Sequence, residues 1–161
     1  MIVIDYLKNH PTIIPQLSQL WKEAIGKIWD PNTSLEKVES YFSDHVNSDS
    51  LPLTFIAFKD NIPIGMCSLR QKASVRPDLS PWLGSLTVDS QYQGQGIGKK
   101  LIDATKAKAR ELGFQKLYLC TYDKTLPSWY KKLGWQSIGS TQCGCHPVEL
   151  MEISLNQIDA A

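Results

Sequence analysis

The stretch YQGQGIGKK, residues 92–100, places three glycines at alternate positions and then two lysines. Glycine has no Cβ, so a loop with this spacing lets another molecule approach its backbone closely. The preceding residues WLGSLTVD (82–89) have the composition of a β-strand, and residues 98–112 show the apolar spacing of a helix. A glycine-rich turn between a strand and a helix N-terminus predicts an anion site, because unpaired N–H groups and the helix dipole favour phosphate.

Two well-known phosphate-binding loops do not match this stretch. A P-loop requires a serine or threonine directly after its lysine, whereas Lys99 is followed by Lys100. A dinucleotide-binding loop requires the spacing G-x-G-x-x-G, whereas the glycines here follow G-x-G-x-G. A plain strand-to-helix turn would not need three glycines. A nucleotide such as ATP remains an alternative ligand at this point.

Composition limits the class of protein. The chain has 161 residues, 42% of them hydrophobic and 20% charged, which is typical of one soluble globular domain spanning 1–161. Seventeen basic residues against sixteen acidic ones leave a net charge of +1, which argues against a dedicated nucleic-acid binder. No apolar run approaches the ~20 residues of a membrane helix, and the N-terminus lacks the features of a signal peptide. We therefore expect a cytoplasmic protein with no membrane attachment.

The pattern of apolar and turn residues predicts a mixed α/β fold with the order β-α-α-β-β-β-α-β-α-β-β. A capping box formed by Thr33 and Glu36 is expected to begin the second helix. Asp60 and Asn61 are expected to form a tight turn between two strands. The predicted strands cover 2–7, the two halves of 53–72, 82–89, 116–122, 135–142 and 147–155, and the predicted helices cover 13–28, 33–45, 98–112 and 126–134.

Two motifs resemble those of the GNAT N-acetyltransferases. The segment LTVDSQYQGQGIGKKLID (86–103) is similar to the family's acetyl-CoA-binding motif, [Q/R]-x-x-G-x-[G/A], which residues 93–98 match. The segment SWYKKLGW (128–135) resembles the family's tyrosine, two residues, Leu-Gly and an aromatic residue. The predicted order of elements also agrees with this family, whose fold implies a central sheet splayed by a bulge in the strand before the loop.

The resemblance implies acetyl-CoA as cosubstrate and assigns residues to it. The loop amides would bind the CoA pyrophosphate, and the strand before the loop would pair with the pantetheine arm as an added strand. Asp123 stands where family members often carry asparagine, which puts that residue's usual hydrogen bond in doubt. The expected cofactor-binding residues are Leu86, Thr87, Val88, Gln93, Gly94, Gln95, Gly96, Ile97, Gly98, Lys99 and Asp123.

The reaction implied is direct attack of a primary amine on the thioester in a ternary complex. Tyr130, the tyrosine of the second motif, would act as general acid and protonate the departing sulfur. The general base remains open between a water chain and six side chains. A histidine on an apolar helix face, as His45 is predicted to be, is more often a core residue than a base. The six candidates are Asp44, His45, Asp78, Asp89, Asp123 and Glu149.

The acceptor is open between a peptide N-terminus, a lysine, a small amine and an antibiotic amine. Trp29, Arg70, Asp78 and Trp82 are the residues expected to line its site. A metal is not expected, because the run CGCH (143–146) lacks further ligands nearby in sequence. A homodimer formed through the C-terminal strands is one expected state. The rival interpretation is a non-catalytic module that binds or senses acyl-CoA.

Overall fold

The structure is a computed structural model and describes residues 1–155. It divides into two compact units, Met1–Leu69 with Ser85–Thr105, and Arg70–Gly84 with Lys106–Ala161. Each unit combines two separate segments of chain. Two strands and a helix cross the division and contribute residues to both units. The prediction of a single domain over 1–161 stays a prediction.

The first unit contains the antiparallel strands β1 (Ile2–Tyr6), β2 (Leu53–Lys59) and β3 (Ile62–Arg70, which ends in the other unit). Asp60 and Asn61 connect β2 to β3 with φ of 52° and 67°, the left-handed pair that a tight hairpin of this kind requires. The predicted hairpin and its turn are therefore confirmed. The second half of β4 (Trp82–Val88) also belongs to this unit.

Helices cover the first unit's strands: α1 (Ile14–Trp21), α2 (Lys27–Trp29), α3 (Leu35–Ser43) and the first part of α4 (Ile97–Glu111). Their amphipathic spacing directs one apolar face inward, which burial of hydrophobic surface stabilises. A core cluster joins α1 and α3 to the strands, and it comprises Leu7, Leu17, Val38, Phe42, Ile56, Phe58 and Met66.

The helix predicted over 13–28 is interrupted. Lys22–Gly26 winds as a π-helix between α1 and α2. A π-turn is closed by hydrogen bonds between residues five apart in sequence, and Trp21 and Gly26 are five apart. A Cβ on Gly26 would lie 2.8 Å from Cζ3 of Trp21, so the tryptophan ring occupies space that only glycine leaves open.

The start of α3 differs from the predicted capping box of Thr33 and Glu36. Ser34 is the N-cap, and its hydroxyl accepts a hydrogen bond from the amide of Lys37 at 3.2 Å. The prediction was wrong by one residue because two hydroxyl side chains stand side by side. The helix ends at Ser43, so His45 lies beyond it rather than on its face.

The second unit contains the first half of β4, β5 (Lys116–Thr121), α5 (Leu126–Lys132) and the hairpin of β6 (Gln136–Cys143) with β7 (His146–Ser154). Within the described residues, β4 and β5 share one registered parallel pair, Trp82 with Tyr118. β7 is antiparallel to both β5 and β6. A second core cluster contains Val75, Trp82 and Leu150.

The seven strands form a mixed sheet with the order β1-β2-β3-β4-β5-β7-β6, in which β4 contributes residues to both units. This confirms the predicted α/β fold class and the order of its elements. Ser85 has a φ of 53° within β4, so the predicted irregularity of this strand falls there. In residues 1–155 no helix has the length and apolar character to cross a membrane.

Candidate functional site

The glycine loop departs from ordinary backbone conformation at two points. Gly94 has a φ of 81° and Gly96 a φ of 80°, values that other L-residues rarely adopt. A Cβ on either glycine would meet no atom within 4 Å. Glycine is therefore required here by conformation and not by crowding, and open space remains against the backbone of the loop.

The loop leads directly into the 15-residue helix α4. Ile97 is 1% exposed and anchors the helix start in the core. The amide of Lys100 donates to the carbonyl of Gly96 at 3.2 Å, which makes this bond part of the first helical turn. Amides before Lys100 at a helix N-terminus have no intrahelical acceptor, so they are available to an anion. Lys99 is exposed and bonds Asp103 at 2.9 Å.

The strand before the loop is held in position by hydrogen bonds. The amide of Asp89 donates to Ile64 on β3 at 2.8 Å, and the Asp89 carboxylate accepts from the amide of Gln91 at 3.0 Å. The Gln93 side chain donates back to the carbonyl of Val88 at 3.2 Å. The predicted cofactor residues from 86 to 99 thus lie together in the first unit, along β4, the turn Ser90–Tyr92, the loop and the start of α4.

Asp123 lies in the second unit, in the turn between β5 and α5. Its carboxylate accepts hydrogen bonds from the amide of Thr125 at 2.8 Å and from the Thr125 hydroxyl at 2.7 Å. These hydrogen bonds lower the pKa of the Asp123 carboxyl. The aspartate thus orders the turn that begins α5, and its side chain is exposed.

Tyr130 lies in the middle of α5 and is 5% exposed. Its ring contacts Trp129 and Trp135, with centroid distances of 5.0 and 6.0 Å. Gly134 takes a φ of 101° and ends the helix, and the amide of Trp135 donates to the Tyr130 carbonyl at 3.1 Å. The Leu-Gly-Trp segment of the second motif therefore folds back onto Tyr130.

Most of the candidate bases already have structural roles. His45 is 2% exposed and its Nδ1 lies 2.8 Å from the Thr54 hydroxyl, which makes it the core histidine expected as the alternative. Asp78 forms two hydrogen bonds with Arg76, at 3.0 and 2.8 Å, and Asp44 is exposed. Glu149 differs, because its Oε2 is buried and makes no hydrogen bond within the described residues.

The four residues predicted to line the acceptor site are divided between the two units. Trp29 lies in the first unit, and Arg70, Asp78 and Trp82 lie in the second. Trp82 is 1% exposed and its indole N–H donates to the Leu79 carbonyl at 2.8 Å, so its ring is a core side chain.

Arg70 has a close neighbour that sequence reasoning missed. A Cβ on Gly84 would lie 2.8 Å from Nη2 of Arg70 and 2.9 Å from its Nε. Gly84 is 14 residues away in sequence, and no local signal links the two positions.

The thiols of the four cysteines are free. Cys67 is fully buried, and Cys143 Sγ lies 3.2 Å from the hydroxyl of Ser74. Among residues 1–155, no three His, Cys, Asp or Glu side chains are grouped so that they would hold a metal ion.

Comparison with known protein families gives the class of this protein. Residues 14–135 match the acetyltransferase (GNAT) family. The chain belongs to that family and is an acyltransferase. No curated protein sequence matches it.

Several solved structures have the same fold at low sequence identity. An aminoglycoside 6'-N-acetyltransferase complexed with coenzyme A is 18% identical with a TM-score of 0.75, covering 96% of this chain and 98% of that one. YncA from Salmonella typhimurium, solved with its cofactor acetyl-CoA, is 14% identical with a TM-score of 0.77, covering 100% and 98%. A ribosomal-protein-alanine N-acetyltransferase from Brucella melitensis is 18% identical with a TM-score of 0.76, covering 94% and 99%.

Proposed function

We propose that this protein transfers the acetyl group of acetyl-CoA to a primary amine. The observation that carries the proposal is the loop with Gly94 and Gly96 in left-handed conformation at the N-terminus of α4. Open space against these glycines and the amides of the first helical turn suit the pyrophosphate of a CoA ester. Fold relatives solved with coenzyme A or acetyl-CoA support this choice of ligand.

The remaining cofactor residues have proposed roles on either side of the loop. Backbone groups of Leu86, Thr87 and Val88 pair with the pantetheine arm, and an amide of this run polarises the thioester carbonyl. Gln93 and Ile97 hold the loop between strand and helix. The charge of Lys99 adds attraction for phosphate. Some side chains, such as that of Gln95, have no proposed direct contact with the cofactor. At these positions the backbone amides are proposed to bind it.

The proposed chemistry is direct transfer. The neutral amine nitrogen attacks the thioester carbonyl, the new N–C bond forms, and the C–S bond breaks to release CoA as thiolate. Tyr130 donates its phenolic proton to that sulfur, and the proton that the nitrogen loses as the amide forms passes to water and restores the Tyr130 hydroxyl. An ammonium has to lose a proton before it attacks, because its lone pair is otherwise unavailable. Water or a carboxylate takes that proton, and holding both reactants together supplies much of the rate.

We propose a cytoplasmic enzyme, in keeping with its four free thiols. A homodimer through the C-terminal strands is proposed because β6 is an edge strand, and such strands present unpaired backbone groups to a partner. Trp29 and Asp78 remain proposed acceptor residues.

The test is isothermal titration of the protein with acetyl-CoA, CoA and ATP, followed by amine acetylation measured as release of free thiol. We expect micromolar binding of acetyl-CoA, about −8 kcal/mol, and no comparable binding of ATP. Acetyl-CoA binding without acetylation of any amine would favour the sensing module instead. Preference for ATP would overturn the proposal.

A further inference from the structure

The tip of the β6–β7 hairpin carries two thiols separated by one residue. Cys143 ends β6, His146 begins β7, and these two residues are a registered pair. Gly144 and Cys145 therefore form a two-residue turn, in which Gly144 has a φ of 60°. A glycine with positive φ at the first central position is typical of the tight turns that join antiparallel strands. The proposed acetyl transfer uses neither of the two thiols.

The turn keeps the two cysteines close to each other. Consecutive Cα atoms are about 3.80 Å apart, so those of Cys143 and Cys145 are separated by at most about 7.6 Å. The bend at Gly144 shortens this separation into the range of roughly 4.4–6.8 Å that a disulfide spans. Both cysteines belong to one turn of the second unit, so their closeness does not depend on the packing of another segment.

The two thiols differ in their surroundings. Cys145 is exposed, so a reagent in solution can reach it. Cys143 is half-buried against the second core cluster, and its sulfur lies 3.2 Å from the hydroxyl of exposed Ser74, at the solvent edge of that cluster. Such a pair suits thiol–disulfide exchange, in which the accessible thiol reacts first and its neighbour then displaces the reagent.

Cys120 is a second thiol near Cys143, because it also packs against the second core cluster. Burial and the neighbouring Cys143 raise the pKa of the Cys120 thiol, although the charge of Arg70 opposes the rise. A thiol with a raised pKa stays protonated at neutral pH, and only a thiolate attacks a disulfide. Cys145 is therefore favoured over Cys120 as the partner of Cys143.

We propose that Cys143 and Cys145 are a redox-active dithiol, which a low-molecular-weight disulfide such as oxidised glutathione converts into a disulfide across Gly144. The Cys145 thiolate attacks one glutathione sulfur, forms a mixed disulfide and releases the other glutathione as thiolate. The Cys143 thiolate then attacks the Cys145 sulfur and releases the second glutathione. The protein thiols lose two electrons and two protons, and oxidised glutathione gains the electrons as it becomes two thiols.

The test treats reduced wild-type protein with oxidised glutathione, stops the exchange with acid, and alkylates the remaining thiols with N-ethylmaleimide in denaturant. The sequence has no lysine or arginine after Lys132, so one tryptic peptide carries both Cys143 and Cys145, and another carries Cys120. We expect two of the four thiols to become resistant to alkylation, and the peptide that begins at Leu133 to lose two hydrogens. Excess reduced glutathione should restore all four, because an exposed disulfide in so small a ring is easily reduced.

Variants assign the role of each thiol. Cys143→Ser should stop at a stable glutathione adduct on Cys145, because the second thiol is missing. Cys145→Ser should form no internal disulfide and should lose alkylatable thiols at least about tenfold more slowly than the wild type. Cys120→Ala is the matched control and should form the disulfide as the wild type does. Cys145 is exposed, so its replacement by serine should leave the fold intact, which thermal unfolding checks.

Several results would overturn the assignment. These are no loss of thiols, a glutathione adduct that persists on Cys145 of the wild type, a crosslink between the Cys120 and Cys143 peptides, and a dimer linked through Cys145. Disulfide formation that continued unchanged in Cys145→Ser would also overturn it. None of these measurements requires acetyl-CoA, so the proposed function stands or falls separately.

Discussion

A Cβ atom on Gly65 would lie 2.9 Å from the carbonyl oxygen of Thr87 and 3.2 Å from Cδ1 of Leu101. Gly65 lies on β3 with ordinary strand conformation, so crowding rather than φ excludes a side chain there. Backbone cannot yield as a flexible side chain does, so β4 would have to move. We expect Gly65→Ala to lower the free energy of unfolding by about 1–3 kcal/mol and to weaken acetyl-CoA binding.

Urea denaturation and titration with acetyl-CoA measure the two effects of Gly65→Ala. The approach of Gly65 to Thr87 would be unimportant if the variant matched the wild type in both.

Gly96→Glu tests the position of the pyrophosphate. The glutamate would add a negative charge and fill the open space beside the loop, so we expect acetyl-CoA affinity to fall at least about 100-fold, or about 2.7 kcal/mol. Gly113→Glu is a matched control. Gly113 has a φ of 93° and open space for a Cβ, so it shares the backbone strain and the added charge but ends α4 instead of beginning it.

Both glutamate variants should lose similar stability in thermal unfolding, and only Gly96→Glu should lose affinity in titration. Equal binding by the two variants would place the pyrophosphate elsewhere.

Tyr130→Phe removes one hydroxyl from a packed ring. The phenyl ring keeps its contacts with Trp129 and Trp135, so the fold should persist. We expect kcat to fall about 100-fold with KM for acetyl-CoA unchanged, because a general acid acts in the transition state. Steady-state kinetics measure this, with Tyr122→Phe as control, since Tyr122 is 41% exposed. A kcat within twofold of the wild type would remove Tyr130 from the mechanism.

Glu149→Met replaces a buried oxygen that has no hydrogen bond by an apolar group of similar length. Glu149 lies on β7 opposite Thr121 of β5. An unsatisfied buried polar atom costs about 1–3 kcal/mol, so the variant should gain about 1 kcal/mol in unfolding free energy. Glu152→Met, on the same strand, breaks a 2.7 Å ion pair with Lys116 and should not gain stability.

Chemical denaturation compares the two methionine variants, and a loss of stability in Glu149→Met would contradict the expectation. A gain in stability together with loss of kcat would identify Glu149 as the base.

Cys67 should be inert in the native protein. Burial raises the pKa of its thiol to about 12, although a hydrogen bond with Thr105 opposes the rise. Below that pH the thiol stays protonated, and a protonated thiol does not attack a disulfide reagent. We expect exposed Cys145 to react first at pH 8 and Cys67 only after denaturation. Mass spectrometry of labelled wild type and Cys145→Ser checks this, and rapid native labelling of Cys67 would contradict it.

Local rules predicted much of this fold. Asp60 and Asn61 tolerate left-handed backbone, so the β2–β3 turn follows from the two residues alone. The alternating glycines likewise marked the loop before α4. The π-turn at Lys22–Gly26 was missed because a helical period averaged over many residues hides one wide turn.

Nonlocal contacts could not be predicted in this way. The approach of Arg70 to Gly84 depends on tertiary packing. The sequence around a glycine in a strand does not indicate which side chain will lie against it. Trp82 illustrates a second limit, because a tryptophan beside a loop suits a ligand pocket and a core equally. Only its 1% exposure assigns it to the core of the structure.

The interleaving of the two compact units has a consequence for biosynthesis. The first unit needs residues up to Thr105, and the second begins at Arg70 but requires β7, His146–Ser154. Chains leave the ribosome at about 5–20 residues per second, so residues 70–84 emerge seconds before the strands they pair with. Neither unit can be obtained by truncating the gene at one point, and a nascent chain carries an incomplete second unit until β7 has been synthesised.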